Sequence, residues 1–317
     1  MSAHNGIVRL VRPATDLKAV LDPSQCTFVF CHIGKSGGTT FRSIMAGTAV
    51  YQKQRFEQVS GNIEDAMREV SDWGALKDNV RYVMGHIPLG AARINQHPHV
   101  HLAILRDPID RVISHVKMHE LRSGEALTKL PPPGTEPLLP DNLQTRMLAG
   151  KVDFSEPCTR HDLDKAMENL EENLSLIGFT EEFDAFVSQF LALTEGDSVM
   201  YSRWQVSTNT IPEDRLSVLR DQAVDRDSLD IELVDHARQR HSDWNAKILR
   251  AIPETVPPDT TMCAIPFISV SGSGVDFSPT RKEPNFIQIQ SADEGPFARE
   301  LEKIGYDVSQ CLAAIES

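Results

Sequence analysis

The chain has 317 residues, 40% of them hydrophobic and 24% charged, which is the composition of a globular protein able to bury a substantial core. Its 32 basic and 45 acidic residues give a net charge of −13, which argues against extensive binding to nucleic acid or to an anionic membrane. Any anion site must therefore be local. The five cysteines are odd in number and widely placed, so their spacing indicates neither a disulfide framework nor a zinc site.

The first 25 residues lack the apolar core of a signal peptide, and no run of the sequence approaches membrane-spanning length. We therefore expect a cytoplasmic protein with no membrane span, in which residues 1–25 form an N-terminal extension.

The first strong pattern is a strand, a glycine-rich loop and a helix. Residues 27–31, TFVFC, are apolar and β-prone and predict a buried strand. The polar segment HIGKSGGTT follows, and then Phe41, Ile44 and Met45 fall on one helical face. This order is typical of a loop that binds a phosphate.

Strand and helix patterns alternate from there to about residue 250. The predicted strands are 81–84, 100–105 and 174–179. The predicted helices are 63–70, one from residue 109, 162–174, one capped by Thr180, and 228–244. Such alternation predicts an α/β fold with a central parallel sheet of four or five strands, flanked by helices.

Two proline-rich regions interrupt this pattern. Residues 130–141, LPPPGTEPLLPD, predict a surface loop, which we expect to border a ligand-binding cleft. Prolines and an SGSG run after residue 250 predict loops, followed by a closing helix near 297–304. We therefore divide the chain into the extension, a nucleotide-binding domain at 26–250, and a C-terminal segment, 251–317, packed on that domain.

The glycine-rich loop offers a compact set of anion donors: Gly34, Lys35, Ser36, Gly37, Gly38, Thr39 and Thr40. Its glycines let the backbone approach an anion closely, and the lysine adds a charge. The loop does not follow the Walker pattern, which requires a glycine where this chain has Val29. Two other interpretations remain open at this point: a glycine-rich turn without a ligand, and a kinase loop.

Two separated motifs resemble PAPS-dependent sulfotransferases (PAPS is 3′-phosphoadenosine 5′-phosphosulfate). FCHIGKSGGTT at 30–40 resembles their 5′-phosphosulfate loop, especially in the carbohydrate branch containing heparan sulfate 2-O- and 6-O-sulfotransferases. LAILRDPIDRVISH at 102–115 resembles the 3′-phosphate segment. Weaker similarity extends over DNLQTRMLAG and 177–193, so the resemblance covers about residues 26–245. The family usually has a proline where this chain has Gly34.

The resemblance implies a P-loop-like three-layer fold and a role for each matching residue. Lys35 and the loop amides would hold the 5′-phosphosulfate, with Lys35 also stabilising the leaving oxygen. Arg106 and Ser114 would bind the 3′-phosphate, since a guanidinium donates two parallel hydrogen bonds. Arg111 is expected to pair with Asp107 or Asp110.

His86 is the candidate catalytic base, because Gly85-His86 resembles the "GH" of the 2-O-sulfotransferase and because histidine titrates near neutrality. The remaining histidines near these motifs are interpreted as structural, including His32, His115 and the alternating His99 and His101. No carboxylate or cysteine set accompanies them, so we expect no metal.

Together these features predict a sulfotransferase that moves a sulfuryl group from PAPS to an acceptor hydroxyl by in-line displacement. The products would be a sulfate ester and 3′,5′-ADP. A carbohydrate or glycolipid acceptor is expected by analogy with the family, and no nucleic acid partner is expected. The alternatives are a nucleotide-dependent P-loop kinase, a non-catalytic protein that binds 3′,5′-ADP or PAPS, and an inactive relative.

Overall fold

The structure, a computed structural model, describes residues 7–13, 18–19, 26–59, 80–89, 99–135, 139–151, 153–202, 210–250, 260–265, 268–271, 274–277 and 285–316. The helix predicted at 63–70 lies outside these residues. Among them, no helix is both long enough and apolar enough to cross a bilayer.

A five-stranded parallel sheet forms the centre of the fold. Its strands in chain order are β3 (Thr27–Cys31), β4 (Arg55–Gln58), β5 (Val80–Gly85), β6 (His99–Leu105) and β7 (Leu174–Phe179). In space the order is β4-β5-β3-β6-β7, with β3 in the middle. The α/β prediction with a central parallel sheet is therefore confirmed, as are the strands that the sequence pattern indicated.

A second, mixed sheet has four strands in the order β1-β8-β10-β13. These are β1 (Val8–Val11), β8 (Ser198–Ser202), β10 (Thr260–Ile265) and β13 (Asn285–Gln290). Two short antiparallel pairs complete the strands: β2 (Lys18–Ala19) with β9 (Leu249–Arg250), and β11 (Ile268–Ser271) with β12 (Gly274–Phe277). The prediction of loops after residue 250 is wrong for β10 and β13.

Helices cover both faces of the parallel sheet. In chain order they are α1 (Gly38–Tyr51), α2 (Pro108–Ser123), α3 (Leu143–Ala149), α4 (Arg160–Glu172), α5 (Phe183–Leu193), α6 (Glu213–Arg226), α7 (Ser228–Ile248), α8 (Glu294–Lys303) and α9 (Ser309–Glu316). Thr180 begins a 3-10 turn before α5 and its hydroxyl donates to the Leu105 carbonyl, so it does not cap α5 as expected.

Alternating side chains of the parallel strands divide the core in two. Phe28, Phe30, Leu102 and Ile104 point to the face covered by α1, α5 and the second sheet. Ala103 and Leu105 point to the opposite face, covered by α3, α4 and α7. The far side of the second sheet packs on α8 and α9.

The chain order places a crevice at the carboxyl end of β3. From β3 the chain runs to the edge strand β4, returns to β5, and then crosses to β6 on the other side of β3. Ligands of open α/β sheets bind where the order reverses in this way. The glycine-rich loop follows β3, His86 follows β5 and Arg106 follows β6, so all three meet at this edge.

Candidate functional site

The loop after β3 turns sharply into α1. Lys35 and Gly37 both adopt left-handed backbone conformations, with φ of 72° and 78°. A left-handed conformation is unfavourable for lysine and is retained mainly where the surroundings enforce it, often at functional sites. The first turn of α1 has no side-chain cap and no acidic residue. The Thr40 amide donates to the Gly37 carbonyl, so the amides of Gly38 and Thr39 are those that, within the described residues, remain available for an anion.

Lys35 and Arg106 are in direct contact, which joins the two separated motifs. Arg106 Nη1 donates a hydrogen bond of 3.1 Å to the carbonyl oxygen of Lys35. The Lys35 ammonium lies 3.7 Å from the sulfur of Met118 and, within the described residues, contacts no carboxylate. Burial lowers the pKa of Lys35, and the positive charges of Arg106 and Arg122 lower it further. A protein of net charge −13 thus concentrates cations here.

Ser36 contributes a buried hydroxyl without a partner. The residue is 1% exposed, and its Oγ makes no hydrogen bond within the described part of the chain. Burying a hydroxyl in this way is costly unless something binds to it. The Ser36 hydroxyl, the amides of Gly38 and Thr39 and the Lys35 ammonium therefore form a donor set suited to an oxyanion. Thr39 is half-buried and Thr40 buried in the same turn.

His86 lies beside this loop with a fixed orientation. Its Nδ1 donates a 2.7 Å hydrogen bond to the carbonyl oxygen of His32, which requires the proton to be on Nδ1. In the neutral ring the lone pair is then on Nε2. The ring stacks on that of His32, with centroids 4.4 Å apart, and a Cβ added to Gly34 would lie 3.9 Å from His86 Cε1. Burial lowers the pKa of His86 below the ordinary 6.5.

His32 has a larger part in the site than its structural interpretation suggested. Its amide donates to Gly85 and its carbonyl accepts from His86, so its backbone spans β3 and β5. Its ring lies so close to Gly38 that any Cβ there would overlap it. Burial, aided by His86, Arg42 and Lys35, lowers the pKa of His32 well below its usual value. Both stacked rings are therefore neutral near pH 7.

The segment after β6 carries the other predicted residues. Asp107 caps α2 by accepting from the amide of Asp110, and Pro108 takes the first helical position. Ser114 is half-buried, one turn before Met118, so both lie on the same helical face.

Gly34, in the loop after β3, stands where the family usually has a proline. A Cβ added to Gly34 would make only ordinary contacts within the described residues, the nearest with Leu143 at 3.7 Å, so lack of space does not explain why this chain has a glycine there.

The prediction for Arg111 is wrong. Its side chain is fully buried and pairs with Asp227 at 3.4 Å, just before α7, and with Asp230 at 3.9 Å, in the first turn of α7. Asp107 and Asp110 are on the exposed side of the α2 start, whereas Arg111 faces inward. The sequence could not predict this pairing, because Asp227 and Asp230 lie more than a hundred positions from Arg111.

Sequence reasoning also overlooked Gln144, which contacts the backbone of Arg106 twice. The only sequence signal was its place in the DNLQTRMLAG segment. The described residues of the 130–141 loop, 130–135 and 139–141, form no helix or strand, as predicted. They are anchored, because Leu130 and Leu139 are buried and Arg226 donates to the carbonyls of Pro131 and Leu139. His99 and His101 stack on each other on β6, and no group of three or more potential metal ligands occurs within the described residues.

Residues 19–123 match the model of the Sulfotransferase family. The match spans about a third of the chain and includes the loop after β3, His86, Arg106 and Ser114. A search of curated proteins finds no match. The family match supports a sulfotransferase, and with it sulfuryl transfer as the class of reaction.

Proposed function

We propose that this protein is a PAPS-dependent O-sulfotransferase that acts on the hydroxyl of a carbohydrate or glycolipid. The observation that carries the proposal is the contact between Arg106 and the Lys35 carbonyl at the carboxyl edge of the sheet. It unites the two motifs that resemble the 5′-phosphosulfate and 3′-phosphate segments, next to His86, whose neutral ring carries its lone pair on Nε2. The family match over 19–123 supports the same chemistry.

The residues present fit a nucleotide with two separate anionic groups. The orphaned Ser36 hydroxyl, the uncapped amides of α1 and the Lys35 ammonium suit the 5′-phosphosulfate. Arg106 and Ser114, on the next strand end and helix, suit the 3′-phosphate. The strand order β4-β5-β3-β6-β7, with the loop after the central strand, favours a P-loop-like fold of the same kind.

When bound, PAPS supplies the activated sulfuryl group. Lys35 stabilises the negative charge that develops on the leaving oxygen, as an ammonium can do without a metal ion. Burial lowers the pKa of Lys35, and the charges of Arg106 and Arg122 lower it further. These neighbouring positive charges favour an anionic occupant of the site. Oriented backbone amides add to this field and need no reorganisation during the reaction.

His86 accepts the proton of the acceptor hydroxyl on Nε2. Its Nδ1 proton is held by the His32 carbonyl, which fixes the tautomer and the ring plane. The lowered pKa keeps Nε2 unprotonated at neutral pH. A carbohydrate or glycolipid acceptor is proposed from the resemblance to the carbohydrate branch.

Calorimetric titration in EDTA tests the proposal, comparing 3′,5′-ADP with 5′-ADP on the wild type and on Arg106→Ala. We expect metal-free binding of 3′,5′-ADP about 10- to 100-fold tighter than of 5′-ADP, because charged hydrogen bonds contribute about 1.5–3 kcal/mol. Arg106→Ala should abolish that preference. Equal affinity for the two nucleotides, or a requirement for magnesium, would instead indicate a kinase. If neither nucleotide binds, the protein is an inactive relative.

Transfer of sulfate from radiolabelled PAPS to a panel of mono- and oligosaccharides and glycolipids then separates an enzyme from a binding module. We expect at least one acceptor to be labelled by the wild type and not by His86→Ala. Tight nucleotide binding with no transfer to any acceptor would favour a non-catalytic protein.

A further inference from the structure

The backbone of Arg106 is held by a side chain from a distant helix. Arg106 is the first residue beyond β6, where the ladder to β3 has ended. Its amide donates to Gln144 Oε1 at 2.9 Å, and its carbonyl accepts from Gln144 Nε2 at 3.0 Å. The Gln144 side chain therefore replaces a neighbouring strand for one residue and fixes both peptide planes of Arg106.

Gln144 is itself rigidly held, and its side chain is completely buried. Its amide donates to Asp230 Oδ2 at 3.1 Å, while Thr145 donates to Asp230 Oδ1 from both its amide, at 2.7 Å, and its hydroxyl, at 2.8 Å. Asp230 in turn donates from its amide to the side chain of Asn142. A carboxylate on α7 thus caps α3 and orients the glutamine.

The Asp230 carboxylate also contacts the segment that carries Arg106. Arg111, five residues further along the same segment, lies 3.9 Å from the same Asp230 carboxylate. Arg106 and the start of α2 are therefore fixed at two points to one buried group, by Gln144 at the strand end and by Arg111 on the helix. Neither contact uses the Arg106 guanidinium.

We propose that Gln144 is a positioning residue that directs the Arg106 side chain toward the 3′-phosphate of the donor nucleotide. This inference rests on the proposed function, because it assigns Arg106 to that phosphate. A guanidinium binds a phosphate through two parallel hydrogen bonds only when it approaches in a fixed orientation. The orientation of the backbone sets the direction in which a long side chain extends. Gln144 supplies the direction without touching the nucleotide.

The variant Gln144→Met tests this, since methionine has a similar length and removes both hydrogen bonds to Arg106. We expect the Kd for 3′,5′-ADP to rise about tenfold, whereas the Kd for 5′-ADP stays within about twofold. With PAPS as the varied substrate, KM should rise while kcat at saturation stays within about threefold. In an Arg106→Ala background the same change should alter 3′,5′-ADP binding by less than about twofold.

Thr145→Val is the matched control, because it removes a hydrogen bond to Asp230 from the same turn of α3 and leaves Gln144 in place. We expect it to lower the melting temperature without changing the preference for 3′,5′-ADP. If Gln144→Met fails to bind 5′-ADP or to melt cooperatively, Gln144→Glu replaces it; this variant keeps the acceptor for the Arg106 amide, and we expect a smaller loss of the same preference.

The inference is overturned if the Gln144 variant weakens both nucleotides equally, if it retains the wild-type preference, or if its effect adds fully to that of Arg106→Ala. Failure of the proposed function has a different signature: the wild type itself would then bind 3′,5′-ADP no better than 5′-ADP.

Discussion

At the scale of single residues, the site depends on how two histidine rings are held. The His32 backbone fixes the Nδ1 proton of His86, and the His32 ring stacks on the His86 ring. A base must be neutral at the working pH and present its lone pair in a fixed direction. Burial meets the first condition by lowering the pKa, and the hydrogen bond meets the second.

We expect His86→Ala to lower kcat about 10²- to 10⁴-fold, the usual contribution of a general base, with 3′,5′-ADP affinity almost unchanged. In the wild type, kcat should fall as the pH decreases, with a midpoint below 6.5, because protonation of Nε2 removes the base. Steady-state rates between about pH 5 and pH 8 provide the measurement. His161→Ala, on the exposed side of α4, is the control. If His86→Ala turns over at the wild-type rate, His86 is not the catalytic base.

Gly38 is required by the close approach of the His32 ring. We expect Gly38→Ala to destabilise the protein by about 1–3 kcal/mol through overpacking. It should also lower turnover about tenfold, because the displaced His32 ring no longer supports His86. Thermal unfolding and initial rates measure the two effects.

Gly295→Ala is the matched control, also in the first turn of a helix. Within the described residues its added Cβ would contact only Arg299 Nη2, at an ordinary 3.5 Å. We expect it to be neutral or to stabilise by up to about 1 kcal/mol. Equal effects of the two alanines would refute the steric argument.

At the scale of elements, buried charges join α2, α3 and α7. Arg111, Asp227 and Asp230 are each fully buried, and Arg226 adds a second guanidinium to Asp227. Burial raises the pKa of Asp230 to about 6, although Arg111 opposes the shift. Burial likewise raises the pKa of Asp227, again opposed by Arg111 and then Arg226. The folded state therefore holds these protons more tightly than the unfolded state.

Arg111→Met should cost about 3–5 kcal/mol of unfolding free energy, because it leaves buried carboxylates without their main countercharge. With raised pKa values in the folded state, stability falls as pH rises from about 4 through about 6. Losing Arg111 raises the pKa values of Asp227 and Asp230 further. We therefore expect the loss of unfolding free energy in the variant to grow with pH across this window and beyond it. Urea denaturation at several pH values measures it.

Arg160→Met serves as the comparison, since Arg160 pairs with Glu232 on the exposed surface, where its side chain is 62% accessible. We expect it to cost no more than about 1 kcal/mol. A deficit in Arg111→Met that does not vary with pH would contradict the role assigned to the buried carboxylates.

At the scale of the whole molecule, the two sheets share one core. Tyr201 of β8 and Met262 and Ala264 of β10 pack in the same cluster as Phe28 and Phe41. β10 lies between β8 and β13, so the C-terminal strands complete the sheet that covers α1. β1, from the segment predicted as an extension, pairs with β8 in the same sheet.

A chain ending at residue 250 should therefore lose cooperative folding. The truncation removes β10, β13, α8 and α9, which leaves β8 as an edge strand and uncovers the side of α1 that faces the shared core. We expect no near-ultraviolet circular dichroism signal and no cooperative melt, in contrast to the full chain. A truncated protein that melts like the full chain would instead make 260–316 a separate unit.

The sequence alone determined four of the five parallel strands, their alternation with helices, and the loop that follows the central strand. These features depend on local periodicity and turn chemistry, which neighbouring residues specify. The sequence did not predict the edge strand β4. The sequence also predicted that Lys35, Arg106 and His86 lie at one edge of the sheet, because each follows a recognisable strand. Their roles stay a prediction. The second sheet escaped prediction, since β10 and β13 are surrounded by proline-rich segments and owe their pairing to strands far away in the chain.

Only the tertiary structure decided which side chains meet. The stacking of His32 on His86, the Arg111 pairs with Asp227 and Asp230, and the Gln144 contacts with Arg106 all join residues that are 38 or more positions apart. Such contacts arise because the fold brings strand ends and helix starts to one edge, and no local pattern encodes their partners. The sequence thus specified which residue types follow the strands at this edge, and packing specified how their side chains and backbones contact one another.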